Sequence, residues 1–135
     1  MITVKSYLGL FSIFLLLNNA AFAAIYDSVI QDVELVSQSE DMLSVDEQVM
    51  VVADLSNGQD RNQNFAYIVQ IRDENDSVIS LSWLTGSLTL GQKFSPALSW
   101  TPIATGSYTI EIFVWESLYS PDALSAPLLL TVEVV

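Results

Sequence analysis

The sequence predicts an all-β fold, two antiparallel sheets packed face to face as a sandwich of about seven strands. Three observations carry this. From Val29 onward, short runs alternate apolar and polar residues with a period of two. Clusters of Gly, Pro, Asn, Asp and Ser separate these runs at regular spacing. Beyond the first residues, no window sustains a helical period. Many short strands with turn signals between them bury their apolar faces by stacking one sheet on another. Apolar residues make up 51% of the chain, enough for a core and opposite to the composition of a disordered segment.

The elements follow in order. Val29, Val33 and Leu35 share one face of a first strand, opposite Asp32 and Glu34, and Glu40-Asp41 marks a turn. Val49, Val51, Ala53 and Leu55 alternate with Met50, Val52 and Asp54 in a second strand. A polar loop runs from Ser56 to Asn62. Phe65 to Arg72 forms a third strand with Tyr67, Val69 and Ile71 on the core side. Asp73-Glu74-Asn75-Asp76 is a turn, since Asn and Asp tolerate left-handed backbone and bond their own main chain. Ile79, Leu81 and Trp83 define a fourth strand, and Gly86 and Gly91 bracket a short segment after it. Phe94 to Trp100 is an edge strand, because Pro96 lacks a ladder donor. Tyr108, Ile110, Ile112 and Val114 alternate with Thr109, Glu111, Phe113 and Trp115. Leu128, Leu130, Val132 and Val134 form the inner side of the last strand. Trp83 and Trp100 are assigned to the core or its rim.

Residues 1–23 read as a secretory signal and residues 24–135 as the sandwich domain. Lys5 is the positive lead, Tyr7 to Leu17 the apolar run, and Ala21-Phe22-Ala23 a small-x-small cleavage site. That run is shorter than the roughly 20 residues of a membrane span. The expected location is therefore outside the cell or in its envelope, with no stable membrane span after cleavage.

Leu98-Ser99-Trp100-Thr101-Pro102 followed by Gly106-Ser107-Tyr108 resembles the Trp-x-Pro…Gly-x-Tyr pattern of prokaryotic surface domains of immunoglobulin-like and fibronectin-III-like type. The stretch from Phe65 to Trp83 is similar to immunoglobulin-like domains in secreted proteins of ammonia-oxidising archaea. The resemblance implies an immunoglobulin-like sandwich at the cell surface and an adhesive or structural role. The glycine permits the turn into the strand, and the tyrosine plugs the corner between the sheets.

Composition removes several function classes. The formal net charge is −12, from sixteen acidic and four basic residues. Such a chain has no basic patch to displace counterions, so nucleic acid is not an expected partner. With no cysteine or histidine there are no disulfides, thiolate chemistry, imidazole bases or blue-copper ligands. Lys93 is the one lysine beyond residue 23, and no Ser-x-x-Lys spacing exists. The expectation is a protein that is not an enzyme and has no cofactor.

Calcium is the one candidate ion, because hard cations take carboxylate and carbonyl oxygens. Three acidic loops offer them: Glu40-Asp41 with Asp46-Glu47, Asp54 with Asn57 and Asp60, and Asp73 to Asp76. Asp73 and Asp76 are the candidate ligands, with solvated turn acids as the alternative. Asn75-Asp76-Ser77 is a glycosylation sequon on an exposed turn, with Asn75 the acceptor.

The most informative pattern is a stripe on one sheet. Alternation turns Ile68, Phe113, Trp115 and Leu129 away from the core on three strands that share a sheet in this topology. Leu118 and Tyr119, in the loop after Trp115, extend it. Large exposed apolar patches mark interfaces, and Trp and Phe are common anchors. The stripe is thus expected to dock an envelope protein or a second copy of the chain. Three alternatives stay open: a stripe covered by a neighbouring loop or turned to the core by a swapped inside–outside assignment, a carbohydrate platform with Trp115 and Tyr119 stacking on sugar rings, and a fibre subunit donating Ala24 to Ile30 as a strand.

Overall fold

The computed structural model describes residues 43–135 throughout and, at the level of strands, Ile2–Val4 and Ile30–Ser37. The cleavage site, the apolar run of the signal, Ala24 to Val29 and the Glu40-Asp41 turn with its candidate calcium oxygens lie outside the described residues. Nine strands are present among the described residues: β1 (Ile2–Val4), β2 (Ile30–Ser37), β3 (Val49–Ser56), β4 (Gln63–Arg72), β5 (Val78–Leu88), β6 (Lys93–Phe94), β7 (Ala97–Trp100), β8 (Gly106–Trp115) and β9 (Leu128–Val134).

They form two antiparallel sheets. One runs β1-β2-β3 with β6 and β7 both paired on the far side of β3, and the other runs β5-β4-β8-β9. β6 and β7 are one edge strand broken at Ser95-Pro96, where the proline cannot donate to the ladder. The Pro96 carbonyl still accepts from the Ala53 N–H at 3.1 Å, so the edge stays in place across the break. With that edge counted once and β1 set apart, the sandwich has the seven strand positions that the sequence predicts.

The core lies where the period-two pattern puts it. Val49, Val51, Ala53 and Leu55 of β3 face Tyr67, Val69 and Ile71 of β4 and Tyr108, Ile110, Ile112 and Val114 of β8, all buried. On β9, Leu128, Leu130 and Val132 pack partly buried against this cluster, and Val134 is enclosed. Tyr67 sits at the centre and donates its hydroxyl to the Val51 carbonyl at 2.9 Å, which ties the two sheets together.

Burial raises the Tyr67 phenol well above its ordinary value, so the fold holds the neutral form. The unfolded chain ionises this group near pH 10. Its contribution is therefore full below about pH 10 and is lost as pH rises further towards the folded value. Tyr67→Phe is expected to cost about 1 kcal/mol near neutral pH. It should also flatten the alkaline loss of stability by up to about 1.4 kcal/mol per pH unit. Denaturant titrations of both proteins on either side of about pH 10 check this.

The Gly-x-Tyr expectation meets its geometry at the start of β8. Gly106 has φ 143°, and a Cβ there would sit 2.8 Å from Glu74 Oε1, the oxygen that accepts from the Ser107 N–H. Two residues on, Tyr108 donates to the Ala104 carbonyl at 2.7 Å and meets the Trp100 ring edge-on at 5.1 Å. This is the corner plug of an immunoglobulin-like sandwich.

Two expectations need correction. Gly86 does not end the fourth strand but lies inside β5, opposite Phe65. A Cβ there would meet the Phe65 ring at 3.0 Å, so the glycine serves a close approach within a strand. Trp83 is not in the core or its rim: it is 53% exposed, while Trp100 is buried as expected.

Candidate functional site

The site grows out of the outer face of the four-stranded sheet, whose registers place its residues in rows. Thr85, Ala66, Trp115 and Ala123 form one row, the last joined by an isolated bridge. Trp83, Ile68 and Phe113 form the next. Leu81, Gln70, Glu111 and Leu129 follow, and then Val78, Arg72, Thr109 and Thr131. Side chains in a row share a face, because successive residues of a strand point to opposite sides. The expected stripe of Ile68, Phe113, Trp115 and Leu129 is thus brought together on one face.

Ile68 faces outward as expected, yet it is only 5% exposed. It lies between Trp83 and Phe113 in the register, and those larger flanking side chains shield it. Its role is to support the aromatic row from beneath. Phe113 and Trp115 are half-buried, their ring centroids 5.8 Å apart and their planes tilted by 52°. Leu129 is exposed.

Sequence reasoning missed two members of the face. Leu81 and Trp83 each expose more than half of their surface on β5, whose inward positions are Ser80, Ser82 and Leu84. The alternation of this strand is inverted, with serines turned in and large apolar groups turned out. The signal was legible as Ser-Leu-Ser-Trp, where the usual polar-out rule assigns the face wrongly.

The loop after β8 folds back on itself. Glu116 N–H donates to the Asp122 carbonyl at 2.8 Å, and Leu124 N–H to the Val114 carbonyl at 2.8 Å. Leu118 is exposed at the tip and Tyr119 is 98% exposed, the most open large hydrophobic side chain among the described residues. Neither is among the residues that the sheet registers bring into the rows.

One end of the face is polar. Arg72 bridges two acids, Asp76 at 2.7 Å and Glu111, and Gln70 donates to Glu111 Oε2 at 3.0 Å. Glu111 is buried, so its charge is compensated in place by these donors. Arg72 Nε is buried with no hydrogen-bond partner in the structure.

The candidate calcium ligands have other employment. Asp73 Oδ1 accepts from the Asn75 and Ser77 N–H groups at 2.9 and 3.0 Å and so shapes the β4–β5 turn. Asp76, in left-handed backbone at φ 66°, gives its carboxylate to Arg72. Asn57 is buried and turns its amide nitrogen, a donor, on the Arg61, Leu88 and Thr89 carbonyls. No group of three or more acids among the described residues is placed to hold a metal ion. Asn75 is exposed at the tip of the β4–β5 turn, which leaves its side chain accessible. No helix among the described residues is long and apolar enough to cross a membrane.

No family model matches the chain, and no curated protein matches it in sequence. Solved structures do. The C-terminal domain of wzt matches with a TM-score of 0.62 at 14% identity, over 78% of this chain and 72% of that one. A CARDB domain from Pyrococcus furiosus, solved in complex with di-metal ions, matches with a TM-score of 0.53 at 19% identity, over 78% of this chain and 90% of that one. A Bacteroides uniformis β-glucuronidase matches with a TM-score of 0.60 at 8% identity, over 72% of this chain. This chain spans only 12% of that glycosidase, so the likeness is to a small part of it. At these identities the comparisons establish the fold, an all-β immunoglobulin-like sandwich of two antiparallel sheets.

Proposed function

We propose that this protein is a non-catalytic interaction module of the cell envelope that docks a partner protein through the outer face of the β5-β4-β8-β9 sheet. The observation that carries the reading is the inverted β5. It spends Leu81 and Trp83 on the solvent side, next to Ile68, Phe113 and Trp115, where a freestanding domain would place polar groups. The partner's surface would be apolar at its centre and basic at its rim, complementing a chain of net charge −12. The 52° tilt between Phe113 and Trp115 suits interdigitation with aliphatic side chains.

A photo-reactive residue at Phe113, introduced into the full chain in its native envelope, tests this. The expected result is an adduct with a second, different protein. Its yield should fall about tenfold or more when Leu81→Glu or Trp115→Ala is added, the loss typical of an interface anchor. A saccharide ligand lost in Trp115→Ala would overturn the reading in favour of carbohydrate binding. Equal adduct yield from the opposite sheet, at Ser99, would remove the face from consideration.

A further inference from the structure

We infer that β5 is a self-pairing edge: two copies of the chain join antiparallel through β5 and merge their four-stranded sheets into one of eight. This does not rest on the docking proposal, since the edge can pair whether or not the face takes a foreign protein.

β5 is the terminal strand of its sheet, eleven residues long, and among the described residues it pairs with β4 alone. An exposed edge offers a row of unpaired main-chain groups to any other strand, and proteins usually blunt it with charge, proline, a bulge or a cover. Two other edges among the described residues, β6/β7 and β9, carry such devices. β6 and β7 are interrupted at Ser95-Pro96 and include Lys93. β9 carries Glu133, and its end is bridged by Leu43. β5 has none of them along its length. Its one irregularity, between Ile71 and Arg72 of the pairing, falls at its first residues, and the register from Ser80 to Leu88 is continuous.

Charge selects the occupant. The chain carries −12 overall, so two copies repel wherever acidic surfaces meet. From Val78 to Gln92 there is no charged residue at all. This is a window through which a copy can approach its twin without placing like charges opposite each other. A two-fold axis at Ser82 would set Leu81 of one copy beside Trp83 of the other on the outer face, an aliphatic–aromatic cross-strand pair repeated twice.

The test uses light scattering and single-cysteine variants of the full chain, which are clean probes because the sequence has no cysteine. The expected wild-type result is a concentration-dependent mass reaching two chains. Thr85→Lys, on an exposed outward position that leaves the core alone, should raise the dissociation constant about tenfold or more. Ser82→Cys should oxidise to a disulfide-linked dimer faster than Thr101→Cys, an exposed position away from β5. A monomer at every concentration overturns the inference. So does a dimer indifferent to Thr85→Lys whose Ser82→Cys and Thr101→Cys variants cross-link at equal rates. Loss of that dimer in Trp115→Ala would then assign the contact to the face rather than the edge.

Discussion

Tyr108→Ala is expected to destabilise the fold by about 3–5 kcal/mol, the range for truncating a large aromatic in a core. Tyr108 is buried at the start of β8, with its ring against Trp100 and its hydroxyl on the Ala104 carbonyl. Alanine removes the ring contact, opens a cavity at the corner between the sheets, and frees a carbonyl four residues upstream. Tyr108→Phe separates these losses. It keeps the ring and should cost about 1 kcal/mol, the net value of one hydrogen bond. Denaturant titration with an unchanged slope reads both numbers. A loss below about 1 kcal/mol for the alanine variant would mean that the corner closes without the ring.

Asn57→Ala is the second large loss, expected at about 2–4 kcal/mol. Asn57 is a buried hub: its amide donates to the Arg61, Leu88 and Thr89 carbonyls, and its Oδ1 accepts from the Gln59 N–H at 3.0 Å. Its main chain adds two more links to the neighbouring turn, to Gln92 O and from Gly91 N. Truncation removes the side-chain partner of each of these groups at a position that is only 1% exposed. Asn57→Asp, nearly the same shape, should cost more than alanine, because a carboxylate would face three carbonyl oxygens with nothing to donate. The ordering Asp worse than Ala is the informative result. The reverse order would show that the amide does not act as a donor.

The core was legible because strands obey a strict period and burial follows it. β3 and β8 read correctly at every inward position from alternation alone, and Pro96 marked an edge strand, although the sequence reading ran it unbroken from Phe94 to Trp100 where the structure interrupts it at Ser95-Pro96. The Trp100-x-Pro102 and Gly106-x-Tyr108 motifs marked the corner, where φ at Gly106 and the Tyr108 bond bear them out. β5 was misread for a physical reason. Alternation tells which residues share a side, but not which side faces the core. The polar-out convention fails on an edge strand whose serines sit half-buried at the rim. Side-chain roles were the least legible. Asn57 was weighed as an oxygen donor to a cation, although only the fold reveals its nitrogen facing three carbonyls. Ile68 was read as exposed, although the registers of β4 with β5 and β8 bracket it with larger side chains.

The cluster of Gln70, Arg72 and Glu111 has a bearing on how the sheet finds its orientation. From Phe65 to Val69, β4 is buried on both sides, so its oily residues alone would accept either side as the interior. Sliding β4 by one residue against β8 exchanges the two sides while leaving this stretch nearly as well covered. The same slip would carry Gln70 and Arg72 into the space occupied by Val69 and Ile71 and strip Glu111 of its donors, a heavy penalty for buried charge. The decision between inside and outside is therefore made by three polar side chains that never enter the core.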